Sequence, residues 1–286
     1  MSRDVLLERF RVSLEAMGKT EMSIDRMCKA VRHYLRFCSA SGLTPDSREA
    51  VEAFLAFKRR EGCGAQYRRW LFAVLSSFFR RVGWEWPFSE GDRIPAEEPS
   101  RPFYTREEME RLIEASKNFG LREQALVRLS CTLGLRRIEL HLLDKADYDP
   151  QTGILYVRTA KHGKRRRHHL DPETRKILEA YLATRRDKNP AMFKGRRGRL
   201  SLRMLNYILE QIRNEAGIDK PRAGYHACRR GLVTQLHKLG ATEKELQEWM
   251  GWKTPTMPHL YIQLTPHEVE QKIAKIHPLY PKTQKT

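Results

Sequence analysis

No stretch of this chain approaches the roughly 20 apolar residues needed to cross a bilayer, and no apolar secretory-type segment opens it. The expectation is a cytoplasmic protein. Cysteine is scarce: Cys28, Cys38, Cys63, Cys131 and Cys228 are odd in number, form no C-x-x-C pair and sit mostly within apolar helical patterns. They read as reduced structural thiols, which excludes a disulfide scaffold. No internal repeat or low-complexity tract is present, which excludes a repeat architecture. Acidic residues are in deficit, 35 Asp and Glu against 54 Lys and Arg, a formal charge of +19. A field of that sign attracts a polyanion, so the expected partner is nucleic acid. The carboxylates nearest the basic segments, Glu139, Asp144 and Asp147, lack the clustered spacing of a two-metal nuclease, so neither a metal nor another cofactor is expected.

A length of 286 residues suits two domains, each large enough to bury a core. Proline, glycine and acidic residues interrupt the helical periodicity from Trp86-Pro87-Phe88 through Pro95, Pro99 and Pro102. The boundaries are placed at 1–88, a linker at 89–100, and a second domain at 101–286. Before the linker, apolar residues at three- and four-residue spacing predict four helices, over 6–17, 23–40, 46–60 and 65–83. Asp46 and Ser47 supply a start signal and Gly83 a stop. Arginines interleave with the apolar residues, and Arg68 and Arg69 are candidates for a DNA-facing side. After the linker, Thr105 with Glu108 suits a capping box. The overall class is mainly α with a small β-sheet.

Chemistry concentrates further on. His226 and Arg229 are three residues apart in YHACRRGLVTQLHKLG, so on a helix they share a face and can grip one phosphate. A guanidinium suits two phosphate oxygens because its donors form a planar, charged fork. Upstream, Arg136 and Glu139 repeat that spacing, with Leu140 and Leu143 as an apolar stripe that buries the helix and aims the arginine, while Arg137 faces solvent. Between these segments, ILYVRTAKHGKRRRHHLDP reads as a β-hairpin turning at Gly163. Lys161 and Lys164 lie at its tip, and Arg165, Arg166 and Arg167 are placed beside backbone phosphates. Arg196 and Arg197, in the glycine-punctuated FKGRRGRL, are assigned the same task.

Arg136 followed by Glu139-Leu140, a hairpin lysine, His226-x-x-Arg229, Gly251-Trp252 and then Tyr261 resemble, in order and spacing, the tyrosine recombinase (phage integrase) family. The resemblance is strong over about two thirds of the chain; the first third matches in length and helical character, as a core-binding domain would. It implies a catalytic set of Arg136, Lys161, His226, Arg229, Trp252 and Tyr261, supported by Glu139 and Lys164. Most members of the family carry histidine where this chain has Trp252. An indole N–H donates a hydrogen bond but exchanges no proton at neutral pH, so Trp252 can orient a phosphate oxygen without acting as acid or base.

The chemistry implied is attack by Tyr261 on a DNA phosphodiester. A free tyrosine hydroxyl titrates near pH 10, so a base is needed, and His226 is the candidate. Arg136 and Arg229 would stabilise the charge spread over the phosphoryl oxygens in the transition state. Lys161 is assigned to protonate the leaving oxygen because the first hairpin lysine does so in the family; spacing alone does not separate it from Lys164. Glu139 is read as orienting His226 or Arg136. The resemblance further implies a dimer to tetramer on double-stranded DNA and two domains clasping the duplex; with no secretory or membrane-spanning segment, a nucleoid-associated location is expected. Val269, Ile273 and Ile276 make a small apolar stripe in the tail, which docks on its own domain or on a neighbour. A type IB topoisomerase-like or telomere-resolving enzyme shares this chemistry, and a DNA-binding accessory protein without turnover shares the fold.

Overall fold

The computed structural model describes residues 2–92, 94, 95, 101–158, 165–262, 264 and 267–270. Two compact units divide the chain, Met1–Ser100 and Arg101–Thr286.

Four helices make the first unit: α1 (Arg3–Ala16), α2 (Glu21–Ser41), α3 (Arg48–Arg60) and α4 (Ala65–Val82). Local chemistry sets their ends. The Ser47 hydroxyl accepts the Ala50 N–H at 3.1 Å to start α3, and Gly83 ends α4 in the left-handed conformation. Their apolar stripes close on rings, with Phe10 and Phe78 edge to face at 5.4 Å and Tyr34 on Phe54 at 5.4 Å. Trp84, Trp86 and Phe88, at the start of the proline-marked stretch, extend this core: Trp86 packs on Phe79 at 5.1 Å and Phe88 on Phe72 at 5.1 Å. Arg48 fastens the strap, stacking on Phe88 and pairing with Asp92 at 3.0 Å.

The second unit begins at a capping box, the Thr105 N–H donating to Glu108 at 2.8 Å, that opens α5 (Arg106–Ser116). There follow α6 (Leu121–Leu133) and the short α7 (Arg137–Leu142). A three-stranded antiparallel sheet comes next, β1 (Tyr148–Asp149), β2 (Ile154–Arg158) and β3 (Arg165–His169), in the order β1-β2-β3. The chain then forms α8 (Pro172–Ala183), a small hairpin of β4 (Lys194–Gly195) and β5 (Gly198–Arg199), α9 (Leu202–Glu215), α10 (Tyr225–Lys238) and α11 (Glu243–Met250). Leu126, Leu129, Leu155, Val157, Leu178 and Leu209 lie in the shared core beneath the sheet and helices.

Pairing of Val157 with Arg166 and of Leu155 with His168 fixes the hairpin's phase. Side chains alternate across a strand, so Arg165, Arg167 and His169 are exposed while Arg166 and His168 turn into the interior. This corrects the placement of Arg166 beside backbone phosphates. Among the described residues, no helix is long and apolar enough to cross a membrane. The hairpin tip with Lys161 and Lys164, and the tail with Ile273 and Ile276, lie outside the described residues; Val269 is exposed.

Candidate active site

Helix α10 carries His226 and Arg229 in its first turns, anchored by Tyr225, whose hydroxyl donates to the Leu205 carbonyl at 3.0 Å. Arg229 is fully buried. Its Nη1 donates to the Gly134 carbonyl at 2.8 Å and its Nη2 to the Met250 carbonyl at 2.9 Å, which ties together the ends of α6 and α11. The guanidinium carbon lies 5.3 Å from the Trp252 ring centroid and 5.6 Å from that of Tyr261. Burial, with Arg136 nearby, pushes the Arg229 pKa down to about 9, which leaves it charged at neutral pH.

Arg136 sits just before α7, where Glu139 accepts both its backbone N–H, at 2.8 Å, and its Nη1, at 2.9 Å. Glu139 is 1 % exposed and meets two further cations, Arg166 Nη2 at 2.8 Å and Arg229 Nη1 at 4.0 Å. Burial alone would raise the Glu139 pKa; Arg166, Arg229 and Arg136 outweigh it and hold the carboxyl ionised, below its ordinary range. Glu139 therefore braces arginines. His226 is solvent-exposed, and partial desolvation together with Arg230, Arg136 and Arg229 keeps its pKa below the ordinary histidine value. Its ring is neutral at pH 7 and able to take a proton.

Gly251 ends α11 with φ 63°, and the turn delivers Trp252 into a small core with Val233, Leu246 and Met250. Tyr261 follows a single 3-10 turn, Pro258–Leu260, and its ring rests on that of Trp252 at 4.7 Å. Thr234 of α10, itself buried, donates its hydroxyl to the Tyr261 carbonyl at 3.2 Å. Three buried donors in this cluster, Arg229 Nε, Trp252 Nε1 and Arg166 Nε, meet no acceptor among the described residues. Buried donors are seldom left so, and each suits an anionic oxygen.

The structure thus gathers Arg136, Glu139, Arg229, Trp252 and Tyr261, with His226 on the exposed face of α10, while Lys161 and Lys164 fall outside the described residues. Of the other basic candidates, Arg69, Arg165, Arg167, Arg196 and Arg197 are exposed, and Arg196 and Arg197 occupy the turn between β4 and β5. Arg68 is half-buried and donates to the Cys63 carbonyl at 3.2 Å. Arg199 in the same basic cluster turns inward to Asp144 and to the carbonyls of His141 and Leu143. Sequence reasoning missed the inward Arg166 and His168, and Thr234. For the first two, an all-polar strand carries no apolar alternation to mark its inward side, and for Thr234 there was no signal either.

Comparison with known proteins agrees with this assembly. The model of the phage integrase family matches residues 102–268. Tyrosine recombinase XerA of Pyrococcus horikoshii is 26% identical over 280 residues, covering 94% of this chain and 93% of that protein. Tyrosine recombinase XerD of Listeria monocytogenes is 27% identical over 281 residues, covering 91% and 94%. Among solved structures, a lambda integrase tetramer bound to a Holliday junction superposes with TM-score 0.75 at 18% identity, over 92% of this chain and 78% of that one. The XerH recombinase bound to palindromic difH substrate gives TM-score 0.72 at 18% identity, over 89% and 80%. At such identities these structures speak for the fold alone.

Proposed function

This chain belongs to the phage integrase family and is a tyrosine-type site-specific DNA recombinase, and we propose that Tyr261 is its nucleophile, cutting one DNA strand at a time within a duplex-bound dimer or tetramer. The Tyr261 oxygen attacks phosphorus and gives its proton to neutral His226; the bond from phosphorus to the 5′ oxygen breaks, leaving a 3′-phosphotyrosyl link and a free 5′ hydroxyl. Arg136 and Arg229 hold the non-bridging oxygens as negative charge develops on them. Trp252 Nε1 donates a further hydrogen bond. Lys161 of the hairpin protonates the departing oxygen, with Lys164 as the alternative donor. Because the phosphoester link retains the energy of the broken bond, the 5′ hydroxyl of a partner strand reverses the step and joins the ends.

The observation that carries this reading is the gathering of Arg229, Trp252 and Tyr261, ring on ring at 4.7 Å with the guanidinium against both, where Arg229 Nε and Trp252 Nε1 are buried and unmatched among the described residues. Such a cluster is costly to fold and is balanced when a phosphate oxygen accepts from it. Exposed Arg165, Arg167, Arg196 and Arg197 add sequence-independent attraction to the DNA backbone, and Arg68 and Arg69 do so from the first unit. A cytoplasmic, nucleoid-associated protein fits this role.

The test uses a nicked duplex whose sequence the protein itself has enriched from a random pool. Wild type should become covalently attached to the DNA and pass the strand to a second duplex. Tyr261→Phe should bind equally and form no adduct; an adduct that persists moves the nucleophile to another tyrosine. Resealing without transfer to the second duplex would mark a type IB topoisomerase-like enzyme, and binding without any adduct an accessory protein.

A further inference from the structure

Three guanidiniums converge on the single carboxylate of Glu139, and only two of them belong to the proposed phosphate clamp. The third, Arg166, comes from β3 and is 7 % exposed. Its Nη2 lies 2.8 Å from Glu139 Oε2, and its Nη1 donates to the Met250 carbonyl at 2.9 Å. That carbonyl also accepts Nη2 of Arg229, so Arg166 and Arg229 share an acceptor. Met250 is the last residue of α11, where unpaired helix carbonyls favour a cation. The stem of Arg166 packs against the next residue: a Cβ on Gly251 would come within 2.3 Å of its Cδ. Arg166 is therefore wedged beneath the turn that delivers Trp252.

We infer that Arg166 is a positioning residue for strand cleavage: by holding the Glu139 carboxylate and the Met250 carbonyl, it sets the direction in which Arg229 and Trp252 meet the scissile phosphate. This inference rests on the recombinase reading above and deepens it. Both Nη atoms of Arg229 are committed to carbonyls, so its aim is only as fixed as they are. Arg166 pins one of them. It is also the strongest of the charges that keep buried Glu139 ionised; the other cations facing that carboxylate are Arg136 of its own segment and Arg229 of α10, and the titratable but neutral imidazoles of His226 of α10 and His168 of β3 lie close by. Without Arg166, burial weighs more heavily, and Glu139 would take up its proton at a higher pH and release the clamp.

The test is single-turnover cleavage of the same nicked duplex across a pH series, with DNA affinity and thermal unfolding measured alongside, for wild type, Arg166→Met and Arg166→Lys. Arg166→Met should bind DNA as wild type does, cleave roughly ten- to a hundredfold more slowly, as losses of supporting contacts do, and show its acid limb at higher pH. Lysine restores a positive charge beside Glu139 but lacks the fork that serves carboxylate and carbonyl together. Arg166→Lys should therefore return the acid limb to its wild-type place while the rate stays reduced. Wild-type cleavage by Arg166→Met overturns the inference, as does a loss in both variants that follows melting temperature with the acid limb unmoved. Should Arg166→Met fail to fold, Arg166→Lys decides: slower cleavage at an unchanged melting temperature supports the inference, and an unchanged rate overturns it. If wild type forms no adduct, the recombinase reading falls and this inference with it; equal rates in all three proteins sink the inference alone.

Discussion

In the first unit the largest fully buried side chains are rings, Tyr34, Phe10, Phe54, Phe78 and Phe79, whereas the bulkiest fully buried side chain of the second is the guanidinium of Arg229. Rings stabilise through the area they remove from water, and the one polar tip among these, the Tyr34 hydroxyl, is met by the Pro45 carbonyl. Buried ions must be matched, because desolvation outweighs their attraction unless the surrounding hydrogen bonds are in place. The first unit does bury one ammonium, Lys58, but near the surface, with Glu61 at 2.6 Å and the faces of Phe54 and Phe57 beside it. In the second unit one carboxylate answers for Arg136, Arg166 and Arg229. The lesson is a division of labour: one unit is built for stability, while the other gives up stability to hold cations ready for a phosphate.

The contrast breaks most sharply at Glu139. Glu139→Ala leaves buried guanidiniums unanswered and should cost about 5 kcal/mol of stability, seen as faster hydrogen exchange confined to the second unit; a milder effect than that of removing a core ring would refute the balance drawn here. Phe78→Ala should cost about 4 kcal/mol with faster exchange in the first unit, and DNA-free charge clusters of the second should be unaffected. Acid provides the next test. Buried His168, packed on Trp249 at 4.7 Å and faced by Arg166, Glu139 and Arg229, has its pKa pushed down to about 4, chiefly by burial. The unfolded chain binds this proton more readily, so the stability contributed is full above about pH 6.5 and is lost as pH falls towards 4, to an extent of up to about 3 kcal/mol. Urea unfolding followed against pH should show that slope, and His168→Phe should flatten it. Smallest of all, Arg69→Ala should leave urea unfolding unchanged and lower the salt dependence of DNA binding by about one phosphate's worth; an unchanged salt slope would remove Arg69 from the interface.

Helix ends and the spacing of the clamp were legible because they depend on neighbours in sequence. Ser47, Gly83 and Thr105 act within one turn, and His226-x-x-Arg229 needs only a helix. The phase of β3 was not legible. In RRRHH every residue is polar, so no apolar alternation marks the inward side, and only pairing with Leu155 and Val157 decides it. The aromatic strap was obscured for the opposite reason: Pro87 marks a break in helix, yet Trp86 and Phe88 on either side still have a core to cover. Basic clusters are ambiguous for a related reason, since Arg196 and Arg199 look alike in sequence, and the inward path of Arg199 depends on distant Asp144.

Three contacts fix the opening segment of the second unit. The Pro102 carbonyl accepts Arg230, the Tyr104 N–H donates to Ala227, and a Cβ on Gly231 would stand 2.0 Å from the Tyr104 carbonyl oxygen. The first residues of the second unit are thus riveted along α10, and glycine is what lets the two backbones touch. The helix that carries His226 and Arg229 is thereby held along one side by the segment that opens its own unit, so a side chain at position 231 would push that segment off and loosen the grip.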